Sequence, residues 1–259
     1  MAFSLSNDML QDLKQKQGEI RFRRALFRQQ VEGRAVFDDE FDAAGIEDVL
    51  ERRMVQTRLD FEHLRESGIR LTPYLEIGAE RCQRALVLEN DFGLHGAALD
   101  LSHDMLRSCA HYAARLARPR LPMRICADVY RLPFRSNALP FVFCYETLHH
   151  FPNLEPVLRE IDRVLAPGGV FFFAEEPFRP ALRLPLVRSK GGVRRSAGRN
   201  RVAKLLRRLF VAEFFNEDAY GVLENHDLSL DDWLTALDIF SSGSCVIQLD
   251  RFRATVGSG

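Results

Sequence analysis

The stretch "FVFCYETLHHFPNLEPVLREIDRVLAPGGVFFFAEE", residues 141–176, reads as strand, helix, strand. "FVFC" and "VFFFA" are nearly continuous apolar runs, as strands buried on both faces are. Between them, Glu155–Leu165 carries apolar residues at helical spacing. A strand, a crossover helix and a second strand of this size predict a parallel pair joined by a right-handed connection.

The alternation extends upstream. From Pro73 the short runs "YLEIG", "GAALDL" and "MRICAD" are separated by helical segments such as Asp104–Leu116. The pattern predicts an α/β domain over residues 71–259, built on a doubly wound, mostly parallel sheet that binds its ligand beyond the carboxyl ends of the strands. Residues 1–70 read as an N-terminal helical extension. There Ile46, Leu50, Met54, Thr57, Phe61 and Leu64 recur every three or four positions and mark one apolar face. That face predicts a helix packed on the following domain, or, as the alternative, one that closes over a ligand.

With 259 residues and 46% hydrophobic content, the chain has enough apolar surface for one sizeable core. Lys plus Arg equals Asp plus Glu at 36 each, so no global charge draws it to nucleic acid or an anionic membrane. The cysteines Cys82, Cys109, Cys126, Cys144 and Cys245 are odd in number and scattered, which fits neither a disulfide framework nor a metal site. A reducing, cytoplasmic location is expected. "MAFSLSNDMLQDLKQKQ" has charges where a signal peptide has its apolar core, and no window approaches the roughly 18 apolar residues of a membrane span. The chain is therefore expected to be soluble and unprocessed.

The strand ends carry the chemistry. The first ends at Glu76 and Gly78, the second at Asp100, the third at Asp128, and the fourth runs into "YETLHHF". Acidic residues ending three successive strands are costly in a core and tolerated at a ligand rim. Asp100 follows the glycine turn at the separation from which a carboxylate accepts hydrogen bonds from ribose hydroxyls; a helix cap at Asp100 or Ser102 is the alternative.

The order of these pieces resembles the class I S-adenosylmethionine-dependent methyltransferases, whose sheet is Rossmann-like. The resemblance covers roughly residues 73–177 and is most specific in "LHHFPNLEPVLREIDRVLAPGGVFFF". It implies S-adenosylmethionine as cofactor, with Glu76 and Gly78 beside the methionine moiety, Asp100 on the ribose and Asp128 accepting from the adenine amino group. Leu101 and Val129 would sandwich the adenine, and Tyr145 would join the same cofactor set. Methyl transfer needs alignment, and a base where the acceptor carries a proton. His149, His150 and Glu146 are the candidates, against a packing or loop-orienting role for the histidines. The implied activity is methyl transfer to O, N or C of a small-molecule, sugar-, lipid- or polyketide-like acceptor. A methyltransferase-like binding or regulatory domain without turnover is the alternative. A nicotinamide dehydrogenase fits less well, because "GAERCQ" lacks the glycine spacing that a dinucleotide requires.

The family usually has glycine at the positions of Gly78, Glu80 and Cys82, and two of the three are replaced here. The turn is therefore expected to differ, since glycine permits positive φ and close backbone approach. Glu80 would sit at a helix N-terminus, or contact the cofactor's ammonium while Arg81 approaches its carboxylate, or mark an eroded site. Glu175 and Glu176 would line the acceptor pocket or begin a solvated turn. Residues 179–212 are strongly basic with no acidic residue and read as an insertion after the fifth strand. The readings are a lid, a site for an anionic acceptor, or a peripheral membrane contact, with nucleic acid disfavoured by the lack of interleaved aromatics. "SLDDWLTALDIF" reads as a helix capped at Ser229 and "CVIQLDRF" as a strand. Only "RATVGSG" then remains for the family's final antiparallel strand, so the sheet ends early or the chain is part of a longer one.

Overall fold

The computed structural model describes residues 7–31, 45–176, 187–189, 212–214, 228, 230–240, 245–248 and 253–257. The main strands are β1 (Tyr74–Ile77), β2 (Gly96–Asp100), β3 (Met123–Cys126), β4 (Leu139–Tyr145) and β5 (Leu165–Ala174). They are followed by β6 (Val187–Ser189), β7 (Ala212–Phe214), β8 (Cys245–Gln248) and β9 (Arg253–Gly257). The α-helices are α1 (Asn7–Val31), α2 (Gly45–Glu66), α3 (Gln83–Asn90), α4 (His103–Arg115), α5 (Leu154–Val164) and α6 (Leu230–Leu237).

One seven-stranded sheet has the order β3-β2-β1-β4-β5-β9-β8, and β6 and β7 form a separate parallel pair. β1 to β5 run parallel, as their buried apolar runs require. The topology reverses between β1 and β4, which opens a crevice at the carboxyl ends. "RATVG" does not leave the sheet short: it forms β9, antiparallel between β5 and β8, with Phe173 opposite Ala254 and Val170 opposite Gly257. Five residues suffice because the hairpin with β8 supplies the register on one side and the long β5 supplies it on the other.

Helices cover both faces. On one, α2 buries Leu50, Met54, Thr57, Phe61 and Leu64, the face set by their spacing. The Phe61 ring meets Phe143, Phe141 and Phe172 edge-on at 5.0, 5.7 and 6.3 Å between centroids. Burying that side chain contributes roughly 1.5–3 kcal/mol. On the other face, α5 buries Val157, Leu158, Ile161 and Val164, and Trp233 of α6 stacks on Phe173 at 5.3 Å. Asp231 and Asp232 lie in the first turn of α6, as the sequence predicts. The readings of 179–212 as lid or anionic patch lie outside the described residues, apart from β6 and Ala212.

Candidate cofactor and active site

The site starts at the turn "GAERCQ". β1 ends at Ile77, and Gly78 leaves it with φ +68°, where a Cβ would sit 2.3 Å from Thr147 Oγ1. Glycine is required there on both counts. Glu80 and Cys82 also take positive φ, 49° and 62°. The turn therefore has a positive φ at Gly78, Glu80 and Cys82 alike, although two of the three are not glycine.

Each non-glycine residue in this region costs about 1–2 kcal/mol, and the surroundings offset it. The Glu80 carboxylate is held by Arg23 Nη1 at 2.8 Å, Arg53 Nη1 at 3.7 Å and Arg81 Nη1. The Glu80 N–H donates to Asp100 Oδ2 at 2.8 Å. Burial alone would raise the Glu80 pKa, but Arg81, Arg23 and Arg53 outweigh it and pull it down to about 2. Cys82 is fully buried, and its carbonyl accepts from Leu86 at 2.8 Å as α3 begins. Glu80 lies two residues before Cys82, the N-cap of α3, and its carboxylate is engaged by the arginines. Arg81 is fully buried against Glu80.

Asp100 ends β2 and ties the rim together. Its Oδ1 accepts from the Ser102 N–H at 2.7 Å while Oδ2 takes the Glu80 N–H, and Ser102 caps α4. Burial raises its pKa, against the pull of Arg23. Asp128 caps the short 3-10 turn Val129–Arg131, accepting from the Tyr130 N–H at 3.0 Å. Its other oxygen meets Lys16 Nζ at 2.6 Å. Each carboxylate keeps lone pairs for a ligand.

A cleft of about 750 Å³, measured out to its open mouth, runs along these strand ends. Gly78, Asp100, Leu101, Asp128, Val129, Glu146 and His150 all line it. Three other expected residues do not. Glu76 is buried beneath the turn, where Oε2 accepts from the Ala85 N–H at 3.0 Å; burial, opposed by Arg84 and that hydrogen bond, raises its pKa to about 8. Tyr145 turns to the α2 side, donating its hydroxyl to Asp60 Oδ2 at 3.0 Å with the Arg84 guanidinium 4.1 Å above its ring. His149 is buried, its Nδ1 2.8 Å from Glu176 Oε2.

Glu176 neither lines the cleft nor begins a solvated turn. Its fully buried carboxylate also accepts from the N–H groups of Thr147, Leu148 and His149 at 2.7, 2.9 and 3.1 Å. Burial would raise its pKa, yet His149 and these N–H groups keep it low. Glu176 thus fixes the loop that presents Glu146 and His150. Glu146, at φ 47°, pairs with Arg53 at 3.1 Å, and Glu175 with Arg84 at 3.2 Å. The wall opposite the sheet comes from Gln15, Lys16, Glu19 and Arg23 of α1, which the sequence did not single out.

Two acceptor carboxylates separated by an apolar slot, with a glycine turn beside them, fit a nucleoside that carries a diol and an amino group. Comparisons with known proteins agree. Residues 75–173 match the family described as methyltransferase domain. An uncharacterized chloroplastic methyltransferase of Arabidopsis thaliana is 35% identical over 108 residues, 36% of this chain and 30% of that protein. The malonyl-[acyl-carrier protein] O-methyltransferase of Halorhodospira halophila is 38% identical over 77 residues, 30% of this chain and 25% of that protein. The sterol 24-C-methyltransferase of Schizosaccharomyces pombe is 33% identical over 79 residues, 30% of this chain and 21% of that protein. The chain thus spans about 30% or less of the length of these relatives. Among solved structures, the [4+2]-cyclase SpnF aligns over 90% of this chain and 73% of its own at 16% identity with a TM-score of 0.52, a likeness of fold. Residues 75–173 thus match a methyltransferase domain, and the sheet that carries them shares its fold with that of SpnF.

Proposed function

We propose that this chain transfers a methyl group from S-adenosylmethionine to a small-molecule acceptor of sugar-, lipid- or polyketide-like character. The observation that carries the reading is the convergence of Gly78, Asp100, Leu101, Asp128 and Val129 on one cleft beyond β1, β2 and β3, with Glu146 and His150 at its β4 end. Asp128 takes the adenine amino group, Leu101 and Val129 the adenine faces, Asp100 the ribose hydroxyls, and Gly78 the close approach of the methionine arm. Glu76 and Tyr145 act at one remove, by holding α3 and α2 in place.

The cofactor supplies an activated methyl group on a sulfonium, which leaves alignment and proton removal to the protein. His150 lines the cleft and is the base where the acceptor loses a proton. His149 positions the loop through Glu176, and Glu146 places negative charge at the acceptor end. The relatives named for sterols and malonyl-[acyl-carrier protein] support a small acceptor on an apolar or carrier-borne scaffold. The basic run 179–212 supports an anionic acceptor or a peripheral membrane contact. Among the described residues, no helix is long and apolar enough to cross a membrane, and the cysteine spacing supports a cytoplasmic location.

Calorimetry with S-adenosylmethionine, S-adenosylhomocysteine and NAD, followed by turnover against sterol, acyl-carrier and phosphoethanolamine acceptors, tests the proposal. Binding of the first two alone, with methyl transfer to one acceptor, is the expected result. Binding without turnover on any acceptor favours the inactive, regulatory module. Binding of NAD alone, or of none of the three, ends the reading.

A further inference from the structure

The methionine arm of S-adenosylmethionine ends in a carboxylate, and the domain core offers it no cation in the cleft. Among the described lining residues, Lys16 and Arg23 alone carry a lysine or arginine charge, and both come from α1, outside residues 75–173. They lie seven positions apart, about 10.5 Å along a helix. β3 and β1 are two places apart in the sheet, about 9.6 Å at usual strand spacing. α1 therefore crosses the strand ends with Lys16 over β3, on Asp128 and 4.2 Å from the Tyr130 ring centre, and Arg23 over β1, on Glu80 of the turn. Arg24, bonded to Asp104 of α4 at 3.1 Å, fastens the same helix next to Arg23.

With Asp128 at the adenine end, the arm points toward β1 and hence toward Arg23. This guanidinium is already oriented: Nε donates to Glu19 Oε1 at 2.6 Å and Nη1 to Glu80 Oε1 at 2.8 Å. Arginine has five N–H donors, so a face of the fork remains for a third acceptor. A pre-set guanidinium beside a glycine turn is well suited to a carboxylate, which it can meet with two parallel hydrogen bonds.

We propose that α1 is an integral wall of the cofactor site and that Arg23, held by Glu19 and Glu80, binds the carboxylate of the cofactor's amino-acid arm. The proposal rests on the cofactor reading above. It assigns a binding residue to a segment that lies before the family's own domain, and it gives the altered turn a purpose. Glu80, where the family has glycine, is the anchor that aims Arg23 into the cleft.

Calorimetry on the full chain tests it with ligands that differ at the carboxylate. S-adenosylhomocysteine carries the arm, and 5′-methylthioadenosine has the nucleoside without it. Arg23→Gln is expected to weaken S-adenosylhomocysteine by about tenfold or more, the effect of losing a charge-assisted contact, and to leave 5′-methylthioadenosine within about twofold. Arg23→Lys, which keeps the charge but not the fork, falls between. A second arm uses the wild type alone: S-adenosylmethionine should bind about tenfold more tightly than its decarboxylated form. Equal weakening of both nucleosides by Arg23→Gln, no weakening of either, or a wild type indifferent to decarboxylation overturns the proposal. A folded wild type that binds none of the four ligands overturns the cofactor reading instead, before any substitution is made.

Discussion

Glu80→Gln changes one charge in a turn whose backbone stays as it is, so its effect can be worked out in advance. In the folded protein the Glu80 pKa is drawn from 4.5 to about 2 by Arg81, Arg23 and Arg53, against the opposing effect of burial. At 1.36 kcal/mol per pH unit, that corresponds to roughly 3 kcal/mol of stability. A depressed carboxylate contributes in full above its unfolded value, here about pH 4.5, and loses the contribution as pH falls toward 2. Glutamine retains one acceptor oxygen, so the measured loss at pH 7 should be about 2–3 kcal/mol. Urea unfolding of both proteins at pH 3 to 7 reads it. The gap should be widest above about pH 5 and narrow steadily below it, because acid neutralises Glu80 in the wild type alone. Glu76, raised to about 8, favours the fold while protonated and loses that contribution as pH rises toward 8. It does so in both proteins and cancels in the difference. A gap of the same size at pH 3 and pH 7, or none at pH 7, would refute the claim that three arginines stabilise the turn through this carboxylate.

Gly78→Ala should cost roughly 2–4 kcal/mol in denaturant unfolding, from a left-handed φ and overlap with Thr147, and adding Thr147→Ala should restore part of it; a double variant worse than the sum of the singles contradicts the overlap. Asp100→Asn should weaken S-adenosylhomocysteine by about tenfold or more in calorimetry, since one oxygen that accepts from the ribose or the turn is exchanged for a donor. His150→Ala should lower kcat while leaving S-adenosylhomocysteine affinity within about threefold, whereas Glu176→Gln should lower the melting temperature because a buried acceptor of several N–H groups is weakened. Raising salt from 0.1 to 1 M, which shortens the Debye length from about 10 to about 3 Å, should speed hydrogen exchange in α1 and spare α2; equal protection of both helices at both salts would show that α1 is not held by its charges.

What could be read from the sequence follows from what each residue reports locally. The α2 face was legible because Leu50, Met54, Thr57, Phe61 and Leu64 are apolar, or nearly so, and recur at the helical period. Asp100 and Asp128 were legible because an acid is tolerated at a rim and not in a core, and both also cap the turns that follow them. The positive φ of Glu80 and Cys82 was not legible, because neither residue type favours it locally. What holds Glu80 and Cys82 there includes Arg23 and Arg53, which are 57 and 27 positions away in the chain and leave no local trace. Tyr145, Glu76 and His149 were placed at the site by order along the chain, but a strand sends neighbouring side chains to opposite faces. Tyr145 falls on the α2 side with Phe143, while Cys144 packs with α5 and α6. Glu176 drew an even choice between two exposed roles. The answer was a third, because the four donors that surround it come from a loop whose shape no spacing rule encodes.

The part of α1 in the cleft escaped notice for a different reason. A helix is usually found by its apolar stripe, yet "KQKQGEIRFRR" spreads its charges around the helix, a pattern that normally means a solvated helix. Here the polar face is the contact face, because what it covers is a rim of carboxylates at Glu80, Asp104 and Asp128. Of these acids only Asp128 was legible as part of a ligand rim; the cations of α1 stood in the same sequence, and complementarity between the two was the available signal. Pairs of this kind, partly open to water, are each worth about 1 kcal/mol or less. A wall held in that way weakens as salt rises, which is why exchange in α1 rather than α2 reports on it.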